Sequence, residues 1–498
     1  MSARVFLGID LGAESGRVVA GEFDGRRIRL EELHRFPNGP VEIAGTWRWD
    51  VLRLWAEIQH GLSSATAKFG PAITSVGVDT WGVDYVLLSK SGELLGQPFH
   101  HRDRRTDQVL DRACRTVPRA DIFAATGLQF LPFNTLYQFL ASQERTPELL
   151  AQAHRFLLMP DFFHWCLCGS TAVEFTNATT TQFFNPTTRG WALELLGRFE
   201  LPTPMLGEVV TPGTNLGLLR AEVCAKTNLG QVPVVAPATH DTASAVAAVP
   251  ATYTGKANWA YISSGTWSLV GVEVPDAQLS AKTLVRNLTN EGGVAGTYRL
   301  LKNVMGLWLV QRCRAAFWQA GVQCDYDELI THARSAKPFQ SLIDPDDRRF
   351  LNPADMLLEI TTFCQETGQP APATVGRFVR CCLDSLALKY RLVLGWLEEV
   401  TGTPIEVIHI VGGGSRNRLL NQLTADVCRR PVLAGPVEAT ALGNVLVQAC
   451  GAAELRSVTE VRAVVRASFP VEQFDPCADQ GWVDAAARFN QILSKAFQ

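Results

Sequence analysis

Short apolar runs separated by turn signals dominate the start of the chain. Residues 4–10 form an apolar run that ends in an aspartate, and further runs follow at 16–23 and 27–36, the last two separated by an Asp-Gly pair. Apolar runs joined by tight turns are typical of consecutive antiparallel strands. The pattern therefore predicts three strands in succession.

A helical period replaces this pattern from Asp50 to about Lys68. Apolar residues recur there at helical spacing, at Val51, Leu54, Trp55, Ile58 and Leu62. Asp50 has the side chain that a helix N-cap favours. A further apolar run at 73–82 predicts a strand, so the element order at the start of the chain is β-β-β-α-β.

The second half of the chain repeats this order. Residues 258–274 predict a strand, a tight turn and a strand, and the periodicity over 375–400 predicts a long helix. Residues 405–414 form an apolar run that ends in three glycines, and helices are expected at 417–429 and 439–451. The shared order predicts two α/β domains of the same plan.

We place the boundary of these domains in a segment that contains Pro and Gly. The N-terminal domain is expected to span residues 1–247 and the C-terminal domain 248–498. At 498 residues the chain is too long for a single hydrophobic core. The middle region, 120–235, reads as short helices and turns, and we expect it to be an insertion into the first domain.

Composition narrows the classes of function. A formal net charge of −3, without any run of Lys or Arg, argues against a nucleic-acid-binding surface. No apolar stretch reaches the roughly 20 residues that a transmembrane helix needs, and the N-terminus lacks the features of a signal peptide. The 12 cysteines contain no C-x-x-C pair and are expected to be reduced thiols. We therefore expect a cytoplasmic protein that binds neither nucleic acid nor membrane.

Two glycine-bearing turns follow apolar strands and are candidates for phosphate binding. The first spans Gly12–Arg17 and the second spans Ser263–Thr266. Glycines allow backbone N–H groups to approach an anion closely. Asp10, before the first turn, could hold Mg²⁺ directly or through water. Each turn could also be an ordinary hairpin connection, but their occurrence in repeated units favours phosphate binding.

Asp241 lies between these two turns and is the candidate general base. A base for an alcohol needs a carboxylate within hydrogen-bond reach of the hydroxyl, and the neighbouring His240 and Thr242 could orient it or the substrate. The alternative is that Asp241 caps the helix that follows, where an acidic residue is favourable. The two roles are compatible, because a helix N-terminus also keeps the carboxylate ionised.

Three other segments carry candidate chemistry. The glycines of 411–417 offer a flat surface for a purine ring, and DTWGVD at 79–84 combines an indole with carboxylates, as sugar sites do. Asn303 and Gln311 lie eight residues apart in the sequence, which is about two turns along one helix face. One could reach substrate and the other nucleotide. Each of these segments could also be structural: a flexible connection, a core indole with solvated acids, or ordinary helix residues.

Several strings of the sequence together resemble a known family. DLGAESGR, VDTWGVDYVLL, LPFNTLYQ, TNATTTQ, HDTASAV, SSGTWSL and HIVGGGSRN are similar to the motifs of the FGGY carbohydrate kinases, in the actin-like/ribonuclease H-like superfamily. The resemblance runs from about residue 5 to about residue 450. It implies an α/β fold with two actin-like/ribonuclease H-like domains that flank a deep cleft.

The resemblance also implies an activity. The expected reaction is ATP-dependent phosphorylation of O1 of a ketose, with Mg²⁺ bridging the phosphates. Among ketoses the motifs favour L-rhamnulose over L-fuculose, L-ribulose and xylulose. A non-catalytic sugar sensor and an actin-like ATPase are the alternatives from other classes. We expect a monomer or a small homo-oligomer.

The resemblance also implies, position by position, which residues form the site. Asp241 would take the proton from the sugar O1. ATP would be bound by Ala13, Glu14, Ser15, Gly16, Arg17, Thr266, Gln311 and Gly413. The ketose would contact Gly82, His240, Asp241, Thr242 and Asn303. Glu14 departs from the usual Ser or Thr of such kinases, and because a carboxylate repels phosphate, we expect it to point outward.

Overall fold

Strands and helices alternate throughout a computed structural model that describes residues 4–478 and 481–496. The strands of the first half are β1 (Arg4–Leu11), β2 (Ser15–Phe23), β3 (Ile28–Pro37), β4 (Pro40–Ile43), β5 (Thr46–Trp49), β6 (Ile73–Thr80), β7 (Tyr85–Leu88), β8 (Arg155–Leu158), β9 (Val173–Glu174), β10 (Phe184–Asn185), β11 (Gly190–Trp191), β12 (Val209–Val210), β13 (Asn215–Leu218) and β14 (Pro233–Val235). Its helices are α1 (Val51–Phe69), α2 (Val109–Thr116), α3 (Arg119–Thr126), α4 (Thr135–Arg145), α5 (Pro147–Gln152), α6 (Met159–Cys168), α7 (Phe175–Ala178), α8 (Leu193–Arg198), α9 (Ala221–Thr227) and α10 (Asp241–Ala247).

The second half continues in the same style. Its strands are β15 (Trp259–Ser264), β16 (Trp267–Val274), β17 (Thr289–Gly292), β18 (Tyr298–Met305), β19 (Val407–Val411), β20 (Val432–Ala434) and β21 (Glu472–Phe474). Its helices are α11 (Ala281–Val285), α12 (Trp308–Gln319), α13 (Tyr326–Ser335), α14 (Met356–Glu366), α15 (Val375–Thr401), α16 (Arg418–Cys428), α17 (Ala439–Gly451), α18 (Val458–Ser468) and α19 (Trp482–Ala496). Short 3₁₀ turns lie at Gly70–Ala72, Arg104–Thr106, Val294–Gly296, Arg348–Phe350 and Gly413–Arg416.

Two large sheets share one plan. The first has the order β13-β14-β6-β1-β2-β3, and the second the order β17-β18-β16-β15-β19-β20-β21. In the first, β1 pairs antiparallel with β2 and parallel with β6, which in turn pairs parallel with β14. In the second, β15 pairs antiparallel with β16 and parallel with β19, which pairs parallel with β20. The repeated order predicted from the sequence is confirmed.

The chain divides into two compact units that are discontinuous in sequence. Unit 1 contains residues 1–256, 273–300 and 438–469, and unit 2 contains residues 257–272, 301–437 and 470–498. The middle region, 120–235, lies in unit 1. The domain boundary that we expect at residues 247/248 stays a prediction.

The three strands and the helix predicted for the N-terminal part are present, but the structure adds the hairpin of β4 and β5 between β3 and α1. The three strands are β1, β2 and β3, and the helix α1 is capped by Asp50, whose carboxylate accepts a hydrogen bond from the Arg53 amide. The apolar side of α1 contributes Leu54, Ile58 and Leu62 to a core that they share with the apolar side chains of β1 and β6. The apolar spacing of α1 predicts this burial of one helix face against a sheet. Burial of this kind is the main source of stability for such a helix.

Helix α17 returns late in the chain to pack in unit 1. Small residues make this packing possible, because a Cβ atom at Gly443 would lie 1.8 Å from the carbonyl oxygen of Ser244 on α10. On β6, a Cβ atom at Gly77 would lie 2.7 Å from Val235 O and 2.8 Å from Gln448 Nε2. The packing of α17 against α10 and against β6 therefore depends on glycine at these two positions. Among the described helices, none combines the length and the hydropathy that a membrane-spanning helix needs.

Candidate active site

Three acidic residues follow one another across the carboxyl ends of parallel strands in unit 1. Asp10 on β1 and Asp79 on β6 are direct neighbours in the parallel register. Thr80 forms a parallel bridge with His240, and Asp241 comes next in the chain. Because the carboxyl ends of parallel strands share one sheet edge, where α/β proteins bind their ligands, these carboxylates mark a candidate active site.

Asp10 is paired with Arg17 across the first turn. Arg17 Nε and Nη2 both donate to Asp10 Oδ2, at 2.9 and 2.8 Å. Its Nη1 contacts Glu438, just before α17. Sequence reasoning missed Glu438, because it is separated from the first turn by most of the chain. Arg17 therefore links the first strand end to the start of α17.

Asp79 is the most deeply buried of the three carboxylates. Its side chain accepts a hydrogen bond from Asn444 on α17 through Oδ2, whereas Oδ1 has no hydrogen-bond partner among the described residues. Burial raises the pKa of Asp79 well above its ordinary value, and the charges of Asp10 and Asp241 raise it further. A cation at this edge would relieve the repulsion between the three carboxylates.

The donor set of this edge fits a magnesium ion that is held mainly by water and phosphate. Mg²⁺ prefers oxygen ligands and usually takes only one or two protein carboxylates. Asp10 and Asp79 offer such oxygens side by side. Within residues 4–478 and 481–496 no three His, Cys, Asp or Glu side chains form a metal-binding cluster.

Asp241 is the first residue of α10 and is partly exposed. Thr242 Oγ1 donates to its Oδ1 at 3.1 Å, and His240 Nε2 lies 3.4 Å from the same oxygen. In the described part of the chain, partners contact only Oδ1, which leaves Oδ2 for an incoming hydroxyl. Burial raises the pKa of Asp241; the charge of His240 lowers it and that of Asp10 raises it. The N-cap of the helix is His240, so Asp241 does not have the capping role weighed for it.

A buried arginine and a glutamate hold His240 in place. Arg299 Nη2 lies 3.1 Å from His240 Nδ1 and 3.2 Å from Glu291 Oε2, which itself lies 3.3 Å from His240 Nδ1. Arg299 is fully buried. The sequence analysis names neither residue; Glu291 lies in the string TNEGG at 289–293. Their contacts orient the imidazole beside Asp241.

The loop before Asp241 is anchored by the buried segment at 174–177. Glu174 accepts hydrogen bonds from the amide and hydroxyl of Thr239, at 3.0 and 2.7 Å. Thr176 Oγ1 accepts from the His240 amide at 3.1 Å and donates to Glu174. The string TNATTTQ therefore has a structural explanation, because its first threonine supports the backbone that carries Asp241.

Both carboxylate oxygens of Asp84, the second acid of DTWGVD, accept hydrogen bonds from other side chains of the protein. Its Oδ2 accepts from the indoles of Trp49 and Trp81, at 2.7 and 2.9 Å, and lies 2.9 Å from His101 Nδ1. Its Oδ1 accepts from Gln138 at 2.9 Å. Burial favours a higher pKa for Asp84, but the charge of His101 and its hydrogen bond lower it. These bonds give Asp84 and Trp81 a structural role, which is the alternative left open for DTWGVD.

The first glycine turn presents its tip to solvent. The Gly12 amide donates to Ser15 O at 2.9 Å, and Asn38 Nδ2 donates to Gly12 O at 2.7 Å. Ala13 and Glu14 are exposed, in agreement with the outward orientation expected for Glu14. At the base of the turn, a Cβ atom at position 16 would lie 2.3 Å from the ring of Phe36, which explains the glycine there.

The second glycine turn belongs to unit 2 and is tied to the start of α12. The amides of Gly306 and Trp308 both donate to Thr266 O at 3.1 Å. Gln311 Nε2 lies 3.4 Å from Thr266 Oγ1. The structure thus brings together two of the residues expected to contact nucleotide, although they are 45 positions apart.

The predicted helical relation of Asn303 and Gln311 is wrong. Asn303 lies on strand β18, whereas Gln311 lies on α12, which begins at Trp308. The chain turns between them at Gly306, where a Cβ atom would lie 2.6 Å from Ser268 Oγ. Their spacing of eight residues is therefore not a spacing along one helix face.

The three glycines after β19 are not equivalent. A Cβ atom at Gly414 would lie 2.0 Å from Ser264 Oγ, and one at Gly412, whose φ is 82°, would lie 3.0 Å from Ser264 O. A Cβ atom at Gly413 would meet nothing within 4 Å. Gly412 and Gly414 are required for packing against β15, and Gly413 is the open position of the three.

Comparison with known families identifies the chain. The sequence profile of the N-terminal domain of the FGGY family of carbohydrate kinases matches residues 5–248, and that of the C-terminal domain matches residues 260–452. The chain therefore belongs to the FGGY family of carbohydrate kinases.

Individual relatives cover nearly the whole chain. The rhamnulokinase of Bacteroides thetaiotaomicron is 45% identical over 488 residues, 98% of this chain and 99% of the relative. The rhamnulokinase of Bacillus subtilis is 42% identical over 474 residues, 95% of each chain. The crystal structure of xylulose kinase from Rhodospirillum rubrum superposes with a TM-score of 0.79 over 99% of both chains, at 18% identity. That structural likeness shows the shared fold.

Proposed function

We propose that this carbohydrate kinase transfers the γ-phosphoryl group of ATP to O1 of L-rhamnulose and forms L-rhamnulose 1-phosphate in L-rhamnose catabolism. The observation that carries the substrate is the identity of 42–45% over at least 95% of the chain to proteins named rhamnulokinase. The carboxylates at the sheet edge of unit 1 agree with phosphoryl transfer to an alcohol.

Asp241 acts as the general base in this proposal. The proton of the sugar O1 passes to Oδ2 while O1 forms a bond to the γ-phosphorus and the bond between that phosphorus and the ADP oxygen breaks. A raised pKa makes the carboxylate a stronger base, which suits proton abstraction from an alcohol. His240, held by Arg299 and Glu291, orients the carboxylate through Oδ1.

Nucleotide contacts are assigned to both glycine turns and to the open glycine after β19. Thr266, Gln311 and Gly413 contact ATP in unit 2, and Gly413 offers a surface free of neighbouring side chains. In unit 1 the phosphate contacts come from the first turn, whose residues are Ala13, Glu14, Ser15, Gly16 and Arg17. Arg17 carries charge to this turn while it remains paired with Asp10.

Sugar contacts are assigned to Gly82, His240, Asp241, Thr242 and Asn303. Asp10, with Asp79 beside it, would hold Mg²⁺ directly or through water. When bound, Mg²⁺ would neutralise charge that develops on the transferring phosphoryl group. Asp10 and Asp79 would supply the oxygens, and a cation there would relieve their mutual repulsion.

Residues 1–247 serve mainly the sugar and 248–498 mainly the nucleotide. The protein works in the cytoplasm, where ATP is available and where free thiols persist; in the described part of the chain all 12 cysteines are unpaired. It acts as a monomer or a small homo-oligomer.

A coupled assay of ADP release tests the substrate. The purified chain is supplied with Mg-ATP and, in turn, L-rhamnulose, L-fuculose, L-ribulose, L-xylulose, D-xylulose or no sugar. The expected result is the highest kcat/KM with L-rhamnulose and little ADP without sugar. Preference for another ketose would reject L-rhamnulose as the substrate, and equal ADP release with and without sugar would reject the kinase activity.

A further inference from the structure

The corner formed by residues 305–308 joins β18 to α12 and is bonded to the second glycine turn. The amides of Gly306 and Trp308 both donate to Thr266 O at 3.1 Å. The amide of the residue between them donates to Gly265 O at 3.0 Å. Three consecutive amides of the corner thus bond two carbonyls of the turn, so the position of the corner fixes the position of the turn.

A group of charged side chains holds this corner. Asp346 Oδ1 accepts a hydrogen bond from the Met305 amide at 3.2 Å. Its other oxygen, Oδ2, lies 2.9 Å from Lys389 Nζ on α15. The same ammonium group donates to Asp344 Oδ1 at 2.8 Å, and both Lys389 and Asp344 are buried. Because Lys389 is itself held by a second carboxylate, it fixes Asp346 beside the corner.

The neighbouring charges keep Asp346 ionised. Burial favours a higher pKa for Asp346, but the charges of Lys389 and Lys302 lower it, and the net shift is downward. Burial lowers the pKa of Lys389, but the charges of Asp346 and Asp344 raise it above its ordinary value. An ionised carboxylate accepts a stronger hydrogen bond from an amide than a neutral carboxyl group does. The hydrogen bond to the corner is therefore charge-assisted.

A buried tyrosine holds the second glycine turn itself. Tyr390, the residue after Lys389 on α15, has its hydroxyl 2.6 Å from Ser268 Oγ, and both side chains are fully buried. Ser268 pairs with Ser264 across the turn. Its Oγ also lies against the corner, since a Cβ atom at Gly306 would be 2.6 Å from it. Burial raises the pKa of Tyr390 to about 12, so the hydroxyl keeps its proton at neutral pH.

The segment that carries Asp346 is also bonded to the start of α12. Trp308 Nε1, on the first residue of that helix, donates to Phe350 O at 3.1 Å. One turn further along α12, Gln311 Nε2 lies 3.4 Å from Thr266 Oγ1. Two consecutive residues of α15 therefore reach both parts of the proposed nucleotide site, the turn and the helix start.

We propose that Asp346 and Tyr390 are positioning residues for the nucleotide, which hold the second glycine turn and the start of α12 in the arrangement that binds ATP. The inference rests on the proposed function, because that function assigns Thr266 and Gln311 to ATP. The two positioning residues act without touching the nucleotide. They fix the backbone before ATP arrives, which avoids the entropy cost of ordering it in the complex. Lys389 secures Asp346 in this role.

Tyr390→Phe tests the tyrosine, because it removes the hydroxyl and keeps the ring. The dissociation constant of Mg-ATP, measured by calorimetry without sugar, is expected to rise about tenfold, as for the loss of one buried hydrogen bond. The KM for ATP rises with it, whereas the KM for the ketose stays unchanged. A variant that binds Mg-ATP as tightly as the unaltered chain would overturn the role of Tyr390.

Asp346→Ala tests the corner. It removes the acceptor of the Met305 amide, and Lys389 keeps Asp344 as its counter-ion, so no buried charge is left unpaired. The expected result is again a dissociation constant for Mg-ATP about tenfold higher, with an unchanged KM for the ketose. Asp346→Asn keeps an oxygen acceptor and should bind Mg-ATP more tightly than Asp346→Ala. Unaltered affinity in Asp346→Ala, or no recovery in Asp346→Asn, would overturn the role of Asp346.

Thr424→Val is the matched control in unit 2. Thr424 on α16 is fully buried, and its hydroxyl donates to Leu420 O at 2.7 Å, away from the turn and the corner. The variant therefore loses one buried hydrogen bond without a link to the nucleotide. The expected dissociation constant of Mg-ATP is that of the unaltered chain. An equal rise in Thr424→Val and Tyr390→Phe would show a general loss of packing and reject the positioning role.

Calorimetry on the unaltered chain separates this inference from the proposed function. If the chain binds Mg-ATP but phosphorylates a ketose other than L-rhamnulose, the substrate assignment fails and the inference still stands or falls on the affinities of the variants for Mg-ATP. If the chain does not bind Mg-ATP, both fail. If it binds Mg-ATP and the affinities of Tyr390→Phe and Asp346→Ala match its own, only the inference fails.

Discussion

Equivalent strands of the two large sheets end in different chemistry. In the first sheet, β1 and β6 carry Asp10 and Asp79 next to their ends. In the second, β15 and β19 occupy the corresponding central positions, and they end at Ser264 and at Val411 followed by Gly412. One sheet edge therefore presents carboxylates, and the other presents hydroxyls and glycine backbone.

Equivalent strand ends of one sheet plan thus carry different residue types, and these residue types suit different ligands. Carboxylates attract a cation or accept a proton, but they repel phosphate. Hydroxyls and open peptide groups bind phosphate and ribose without that repulsion. Two copies of one sheet plan can thus carry acid–base chemistry in the first and most of the proposed nucleotide contacts in the second, while the turn after β1 adds phosphate contacts to the first.

Asp241→Asn, in unit 1, should give the largest loss of activity. The amide cannot accept the proton, so kcat should fall by about 10³-fold. The affinity for ATP, measured by calorimetry, should stay unchanged. Because burial raises the pKa of Asp241, its ionised form is destabilising, and the variant should not unfold at a lower temperature at neutral pH. Turnover close to that of the unaltered chain would remove the base assignment.

Gly414→Ala and Gly413→Ala, in unit 2, should affect different properties. The first should lower the stability of the fold, and the second should weaken ATP binding. The first places a Cβ atom 2.0 Å from Ser264 Oγ, and overpacking of this kind costs about 1–3 kcal/mol of stability. The second meets no atom within 4 Å, so its thermal midpoint should stay the same and only the KM for ATP should rise. Equal thermal midpoints for the two variants would contradict this assignment.

Thr266→Val, in unit 2, should have a smaller effect, which is a higher KM for ATP. It removes the hydroxyl that lies 3.4 Å from Gln311 Nε2, and the KM for ATP should rise about tenfold or less. The KM for the ketose serves as the internal control and should not change. A rise in the ketose KM alone would move Thr266 from the nucleotide to the sugar.

The pH dependence of kcat/KM tests the ionisation of Asp241. Its effect should be the smallest of these experiments. The base must be ionised, so activity is lost as the pH falls through its pKa. Since that pKa is raised, the acidic limb should lie above the value of about 3.9 for an ordinary aspartate. The residual activity of Asp241→Asn should lack this limb. A limb that persists in the variant would belong to another group.

Parts of the site that depend on neighbours in sequence were predictable. The turn at Gly12–Arg17, the turn at Ser263–Thr266 and the cap of α1 by Asp50 all follow from short-range patterns. The prediction for Asn303 and Gln311 failed because residue spacing alone does not distinguish a strand followed by a helix from one long helix.

Contacts between residues far apart in the sequence determine roles that the motifs did not show. Asp84 looked available from DTWGVD, yet its donors come from Trp49, His101 and Gln138, far from it in the chain. Arg299 and Glu291 orient His240 from a segment with no obvious signal. The sequence contains these residues, but not the distances between them.

Local order along the backbone sets the strands, the helices and the two glycine turns, because each depends on side-chain spacing and backbone preferences within a few residues. The repeated element order likewise sets the plan of the two sheets. Burial and contact between distant segments decide the rest: which acid is structural, which is a candidate base, and which glycine is open. These properties depend on desolvation and hydrogen bonding, which arise only when remote parts of the chain meet.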